Sequence, residues 1–234
     1  MSDGTLRIPE EIQRRFTLAE HPIEIPGLQV SLLKPRNFDD LISEADYVRD
    51  ERLPYWADLW ASSEVLALYM LERGGSLKAE VAANRPAQAL EFGCGLGLVA
   101  LAAERVGFTV LATDYYDDAL LFAAHNGERA NGRPLATRMV DWTAMPTDLG
   151  SYPLVIAADV LYEMRYAPIL ADALVQTLAP GGVFVLADQG RIALEAFLEE
   201  TATRGLEHRI THRVPAPPGV AKPNITIYEM RWKA

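Results

Sequence analysis

Three glycines at alternate positions, Gly93, Gly95 and Gly97, lie in "ALEFGCGLGLVALAAERVGFTVLATD" (89–114), with Glu91 just before them and Asp114 where the next apolar run ends. Glycine so placed lets a backbone approach a ligand with no side chain between them. A nicotinamide-binding fold, a phosphate loop and a methyl-donor site can all begin this way, and the spacing separates them. A dinucleotide fingerprint needs G-x-G-x-x-G/A, yet here the third position falls on Leu98 and the third glycine comes one residue early. A triphosphate loop needs a Lys-Ser or Lys-Thr pair after its glycines, and none follows. Further along, "VDWTAMP" offers Asp141 beside Trp142, an acid and a ring that could hold a planar base, or a turn acid beside a core tryptophan.

Elements that could position these residues are legible from Ala89 onward. Short apolar runs rich in β-branched and aromatic residues, at 88–92, 108–113, 135–140, 153–159 and 182–188, read as strands. Helical spacing fills 97–106, 117–130, 167–178 and 191–204 between them, so the chain is α/β with a mostly parallel sheet covered on both faces. Then the rhythm breaks. The runs 206–214 and 225–232 are joined only by the Pro-rich "PAPPGVAKPN" (215–224), and without a crossover helix they can pair only antiparallel. Upstream, "IEIPGLQVSLL" (23–33) predicts a small hairpin around Pro26-Gly27, and "SSEVLALYMLERGG" (62–75) a helix ending at its glycines. We therefore expect an N-terminal extension over 1–52 carrying the hairpin and one domain over 53–234.

A parallel sheet closed by an antiparallel hairpin is similar to the Rossmann-like, seven-stranded fold of the class I S-adenosylmethionine-dependent methyltransferases. "LEFGCGLG" resembles the first motif of that class, an acid followed by G-x-G-x-G. The resemblance implies that Gly93, Gly95 and Gly97 admit the methionine and ribose portions of the donor and that Glu91 sits near its ammonium group. Asp114, 17 residues after Gly97, would accept from the two ribose hydroxyls, and Asp141 and Trp142 would hold the adenine.

Two further segments narrow the class. "ADVLYE" (158–163) brings Ala158, Asp159, Tyr162 and Glu163 to the strand edge facing the donor, and "LPYWADLWAS" (53–62) presents Tyr55, Trp56 and Trp60. Together they resemble the seven-strand protein-lysine methyltransferase family that includes the electron-transfer flavoprotein β-subunit lysine methyltransferase and bacterial relatives. That family carries a Pro-aromatic-Trp segment before the first motif and Asp-x-x-Tyr after the fourth strand. Bacterial relatives often add Asp-Pro-Gly-Arg after the fifth, which "ADQGR" (187–191) matches except for Gln189. The likeness covers about residues 50 to 232. It implies S-adenosylmethionine as cofactor, S-adenosylhomocysteine as product, and a protein partner bearing the target lysine, with Trp60 and Ala158 near the donor and Asp159 and Tyr162 at the acceptor.

The chemistry at Asp159 can be reasoned separately. Displacement at a sulfonium methyl needs a neutral amine, whereas a lysine of pKa near 10.4 is protonated at pH 7, so the neutral form costs about 4 to 5 kcal/mol. A lone carboxylate makes this worse by favouring the ammonium. Asp159 thus suits capture and orientation of the lysine better than general-base catalysis. Plainer readings stand beside these: Asp159 as a helix cap, Tyr162 as a cover for the sheet, and "LPYWADLW" as an aromatic lid over the core. Arg191 fits either an acidic group or the helix below it. Asn126 and Asn131 mark a helix end or a partner surface. A small-molecule N-methyltransferase and a non-catalytic donor-binding scaffold are the competing functions.

Composition limits the rest. A net charge of −10 with no Lys/Arg run lacks the electrostatic footprint of a nucleic-acid binder. No apolar stretch approaches a bilayer span and the polar start "MSDGTLRIPEEIQRR" lacks the apolar core of a secretory signal, so a cytoplasmic location without membrane contact is expected, and the chain is expected to be a monomer. The single cysteine, Cys94, reads as a buried filler of the loop, and the four scattered histidines predict no metal site.

Overall fold

The structure is a computed structural model that describes residues 9–37, 41, 53–215 and 224–233. The acidic stretch before Leu53 and most of the Pro-rich connector 215–224 lie outside the described residues. A short helix α1 (Glu10–Arg15) leads into the hairpin β1 (Leu18–Ile25) and β2 (Leu28–Pro35). Gly27 takes φ +90° in its two-residue turn, a conformation that favours glycine. After a 3-10 turn at Tyr55–Ala57 comes α2 (Ala61–Val81), then β3 (Gln88–Phe92), α3 (Leu98–Arg105), β4 (Thr109–Asp114) and α4 (Asp117–Asn131). The chain continues through β5 (Ala136–Met139), a 3-10 turn at Trp142–Ala144, β6 (Tyr152–Ala158), α5 (Tyr166–Thr177) and β7 (Leu178–Asp188). It ends with α6 (Leu194–Thr203), β8 (Leu206–Val214) and β9 (Ile225–Trp232).

Seven strands form one sheet in the order β5-β4-β3-β6-β7-β9-β8. The β3, β4, β5, β6 and β7 pairings are parallel, while β9 is antiparallel to both of its neighbours. Central strands are apolar on both faces, as burial between two helical layers requires. Ala89, Val110, Ile156 and Val185 face a cluster with α2, α3, α4 and the N-terminal hairpin. Leu90, Val155, Phe184 and Leu186 face α5 and α6. The hairpin thus shares the sheet's core, with Ile23, Leu28 and Leu33 in the same cluster as Phe122 of α4.

The helix expected to end at Gly74-Gly75 runs on to Val81. Gly74 is a packing residue: a Cβ there would stand 2.5 Å from Val106 Cγ2, at the end of α3. Helix packing, not termination, explains this glycine. The run expected at 182–188 begins earlier, at Leu178, because Leu178 already pairs with Tyr152 before a register shift. The helix expected at 191–204 starts later, at Leu194, because Asp188 Oδ1 holds the Gly190 and Arg191 amides in a turn at 2.7 and 2.8 Å.

Candidate functional site

Strand order reverses between β3, whose chain continues through α3 to β4 on one side, and β6 on the other, and ligands in open α/β sheets bind outside the carboxyl ends of strands at such a point. A cavity of about 880 Å³, counted with its open mouth, lies there. It is lined by the glycine loop, the ends of β4 and β6, the turn at Trp142, and the 53–60 segment.

The loop enters as β3 ends. Cys94 N donates to Thr113 O at 2.9 Å, and Gly95 N donates to Asp114 Oδ2 at 3.0 Å. Asp114 Oδ1 accepts from Tyr116 N at 3.1 Å, so one carboxylate ties the loop to the end of β4. Burial pushes the Asp114 carboxyl above the usual aspartate range, and the backbone donors of Gly95, Tyr116 and Tyr115 oppose that rise. Gly93 and Gly95 border the cavity, whereas Gly97 does not. Gly97 caps α3 at φ +87°, where a Cβ would stand 2.9 Å from Leu135 Cδ1 and 3.1 Å from Ala123 Cβ. Its absent side chain serves the contact of α3 with α4.

Glu91 also lies behind the lining. Its side chain is buried, Oε2 has no partner, and burial pushes the carboxyl well above the glutamate range, with the Ala100 amide opposing. At the far end, Asp141 Oδ1 accepts from Thr143 N at 2.9 Å and closes the 3-10 turn, fixing Trp142. The Trp142 ring stands 6.0 Å from Phe92 and 5.6 Å from Tyr166, and its buried Nε1 has no partner. A buried indole N–H without an acceptor is costly unless something fills the cavity and accepts it.

Asp159, Ala158 and Tyr162 form the opposite wall, with Tyr55 and Trp60. Asp159 holds φ +61°, the one non-glycine residue with positive φ among those described. Such strain gathers at functional sites. Its carboxylate is not a helix cap. Arg191 Nε donates to Oδ1 at 2.7 Å, Arg191 Nη2 to Oδ2 at 2.8 Å, and Gln189 Nε2 to Oδ2 at 2.5 Å. The Arg191 guanidinium also lies 4.9 Å from the Trp60 ring centroid, and Trp60 Nε1 donates to Tyr55 O at 2.9 Å. Tyr162 is 4.9 Å from Tyr55 and 5.8 Å from Tyr166, ring to ring, and burial pushes its phenol up. Trp56 turns inward against Phe16 and Phe122, so this segment is lid and core at once. Burial likewise pushes the Cys94 thiol up, which suits a filler rather than a nucleophile.

Two residues that the sequence left undecided are central. Arg191 binds the acid, not the helix. Asn126 of α4 is a clamp: Oδ1 accepts from Leu33 N at 2.7 Å while Nδ2 donates to Leu33 O at 3.1 Å and to Leu96 O at 3.0 Å. It joins the outer edge of β2 to the glycine loop. No spacing signals such a contact, since it links residues about 30 and 93 apart in sequence. Among the described residues there is no His/Cys/Asp/Glu cluster fit for a metal and no helix long and apolar enough to cross a membrane.

A family model described as lysine methyltransferase matches residues 51–203. The electron transfer flavoprotein beta subunit lysine methyltransferase of Danio rerio is 32% identical over 165 residues, which are 68% of this chain and 57% of that protein. The chain therefore spans well under two thirds of that relative's length. Among solved structures, the ribosomal protein L11 methylase of Lactobacillus delbrueckii subsp. bulgaricus superposes with a TM-score of 0.55 at 22% identity, covering 76% of this chain and 81% of that one. The magnesium protoporphyrin IX methyltransferase of Synechocystis, solved with bound SAM, gives 0.57 at 17% identity, covering 83% and 94%. At these identities the structural likeness establishes the fold alone.

Proposed function

The chain belongs to the lysine methyltransferase family, and we propose that it methylates the ε-amine of a lysine on a protein acceptor, with S-adenosylmethionine as donor. The observation that carries this reading is the meeting, in one cavity, of the loop locked by Asp114 with the Asp159–Tyr162 wall. Asp114 would hold the donor's ribose hydroxyls, the Gly93–Gly95 backbone its methionine part, and Trp142 its adenine. The partnerless Trp142 Nε1 fits such a ligand, and the Gly93 and Gly95 backbone borders the same cavity. When bound, the donor supplies a methyl group already activated on a positive sulfur.

What remains for the protein is to present an amine in line and dry. Tyr55, Trp60 and Tyr162 offer ring faces to a lysine's methylene chain. Three donors already occupy the Asp159 carboxylate, which has about four lone-pair sites, so it can orient an amine N–H but is no strong base. Positioning supplies most of the rate.

Labelled S-adenosylmethionine, offered with electron transfer flavoprotein β subunit, ribosomal protein L11 and a size-fractionated lysate, tests this. Label in a discrete protein band, lost with Asp159→Ala, supports it. Label confined to small molecules points to a metabolite N-methyltransferase, and donor binding without any transfer to a scaffold.

A further inference from the structure

A carboxylate beside an acceptor amine poses a problem, because an opposite charge within about 4 to 6 Å moves a pKa by roughly one to three units toward the charged form. For a lysine, that form is the unreactive ammonium. The structure answers with Arg191, whose guanidinium takes both Asp159 oxygens in a bidentate pair. Bidentate Arg–carboxylate pairs are rigid and strong. The Trp60 face, 4.9 Å away, holds the guanidinium from the side, and Asp188 Oδ1 fixes its backbone amide from below.

We propose that Arg191 is a positioning residue that cancels the Asp159 charge, so that Asp159 accepts a hydrogen bond from a neutral lysine amine without stabilising the ammonium. This role rests on the acceptor being a lysine, as proposed above. Asp188, from the turn after β7, and Tyr55, from the 53–60 segment, face Arg191. Asp114, Glu163, Tyr116 and Tyr166 face Tyr162 on the same wall. Asp188 Oδ1 is taken up by the Gly190 and Arg191 backbone amides at 2.7 and 2.8 Å, whereas the Arg191 guanidinium is turned to Asp159. Gln189 adds a neutral donor to Asp159 Oδ2 and no charge. Arg191 therefore stands as the positive partner that Asp159 pairs with among the described residues.

The test compares Arg191→Gln, Arg191→Lys and the wild type, each saturated with S-adenosylhomocysteine. Dissociation constants for n-butylammonium and for 1-butanol, its neutral counterpart in size, are measured by NMR titration at pH 7.5. Wild type and Arg191→Lys should bind the two within about threefold of each other. Arg191→Gln should prefer the cation by about tenfold or more, a gain that a merely structural role would not produce. Equal preference in Arg191→Gln overturns the proposal, as does a strong cation preference in the wild type. On a protein acceptor, the pH at which kcat/KM levels off should rise by about one to three units in Arg191→Gln and stay in place in Arg191→Lys. Should the wild type methylate no protein, the lysine reading fails by itself, and the butylammonium comparison still decides the role of Arg191.

Discussion

Replacing Asn126 with leucine removes three hydrogen bonds and keeps the branched shape of the side chain. The side chain is almost wholly buried, and its loss leaves Leu33 N, Leu33 O and Leu96 O without their partner. A buried backbone group so stranded costs about 1 to 3 kcal/mol. Partial rescue by water at the hairpin edge lowers the sum, so we expect a loss of about 3 to 5 kcal/mol. That is a large part of the roughly 5 to 15 kcal/mol that stabilises a folded protein. For a chain of this size, about 2 to 4 °C of Tm accompanies each kcal/mol, so Tm should fall by about 10 °C. Urea unfolding at fixed pH gives the free energy, and calorimetric titration with S-adenosylhomocysteine gives the second consequence. Because Leu96 belongs to the glycine loop, ligand affinity should weaken along with stability. A loss below about 1 kcal/mol, with unchanged affinity, would refute the view of Asn126 as the bolt between hairpin and loop.

Gly97→Ala should destabilise the protein by about 1 to 3 kcal/mol in thermal unfolding, since φ +87° is strained for alanine and its Cβ would press on Leu135 and Ala123. Glu91→Gln tests the buried carboxyl. Its pKa is raised in the folded state, so its stabilising contribution is complete below the ordinary glutamate pKa and is lost as pH rises through the folded value. The variant should match the wild type near pH 5 and exceed it near pH 9 in denaturant midpoint. Tyr162→Phe should keep donor affinity and most activity, because the ring forms the wall, whereas Tyr162→Ala should raise KM for a protein acceptor about tenfold or more.

Local signals made much of the fold legible. The alternation of apolar runs and helical spacing predicted the parallel strands within a few residues, and β8 and β9 fell at the expected bounds because no helix fits between them. The glycine spacing likewise pointed to the loop, since G-x-G-x-G reflects backbone demands visible along one segment. Gly74 misled because an internal glycine that receives Val106 looks the same in sequence as one that ends a helix. Gly97 was grouped with the ligand for a similar reason, although α4 occupies the space its side chain would need. Arg191 was offered an acidic group without a sign of which one, and the Asn126 clamp was out of reach. The two contacts join residues 32 and 93 apart through side chains whose types occur everywhere on protein surfaces.

The buried acids around the cavity carry a common electrostatic consequence. Glu91, Asp114 and Asp188 are all pushed above their ordinary pKa by burial, while Arg191 is already engaged with Asp159. Removing carboxylates from water without a countercharge is costly, and a chain of net charge −10 supplies little positive potential nearby. A donor that carries a sulfonium and an ammonium would offset that cost, whereas its demethylated product, lacking the sulfonium, would offset less of it. Binding of the donor should therefore release protons and strengthen as pH rises through the raised carboxyl values, and the product should show a weaker dependence. Calorimetry in buffers of different ionisation enthalpy measures that proton release directly. Equal release by donor and product would mean that the acids serve the loop's architecture and leave the sulfonium to the aromatic walls.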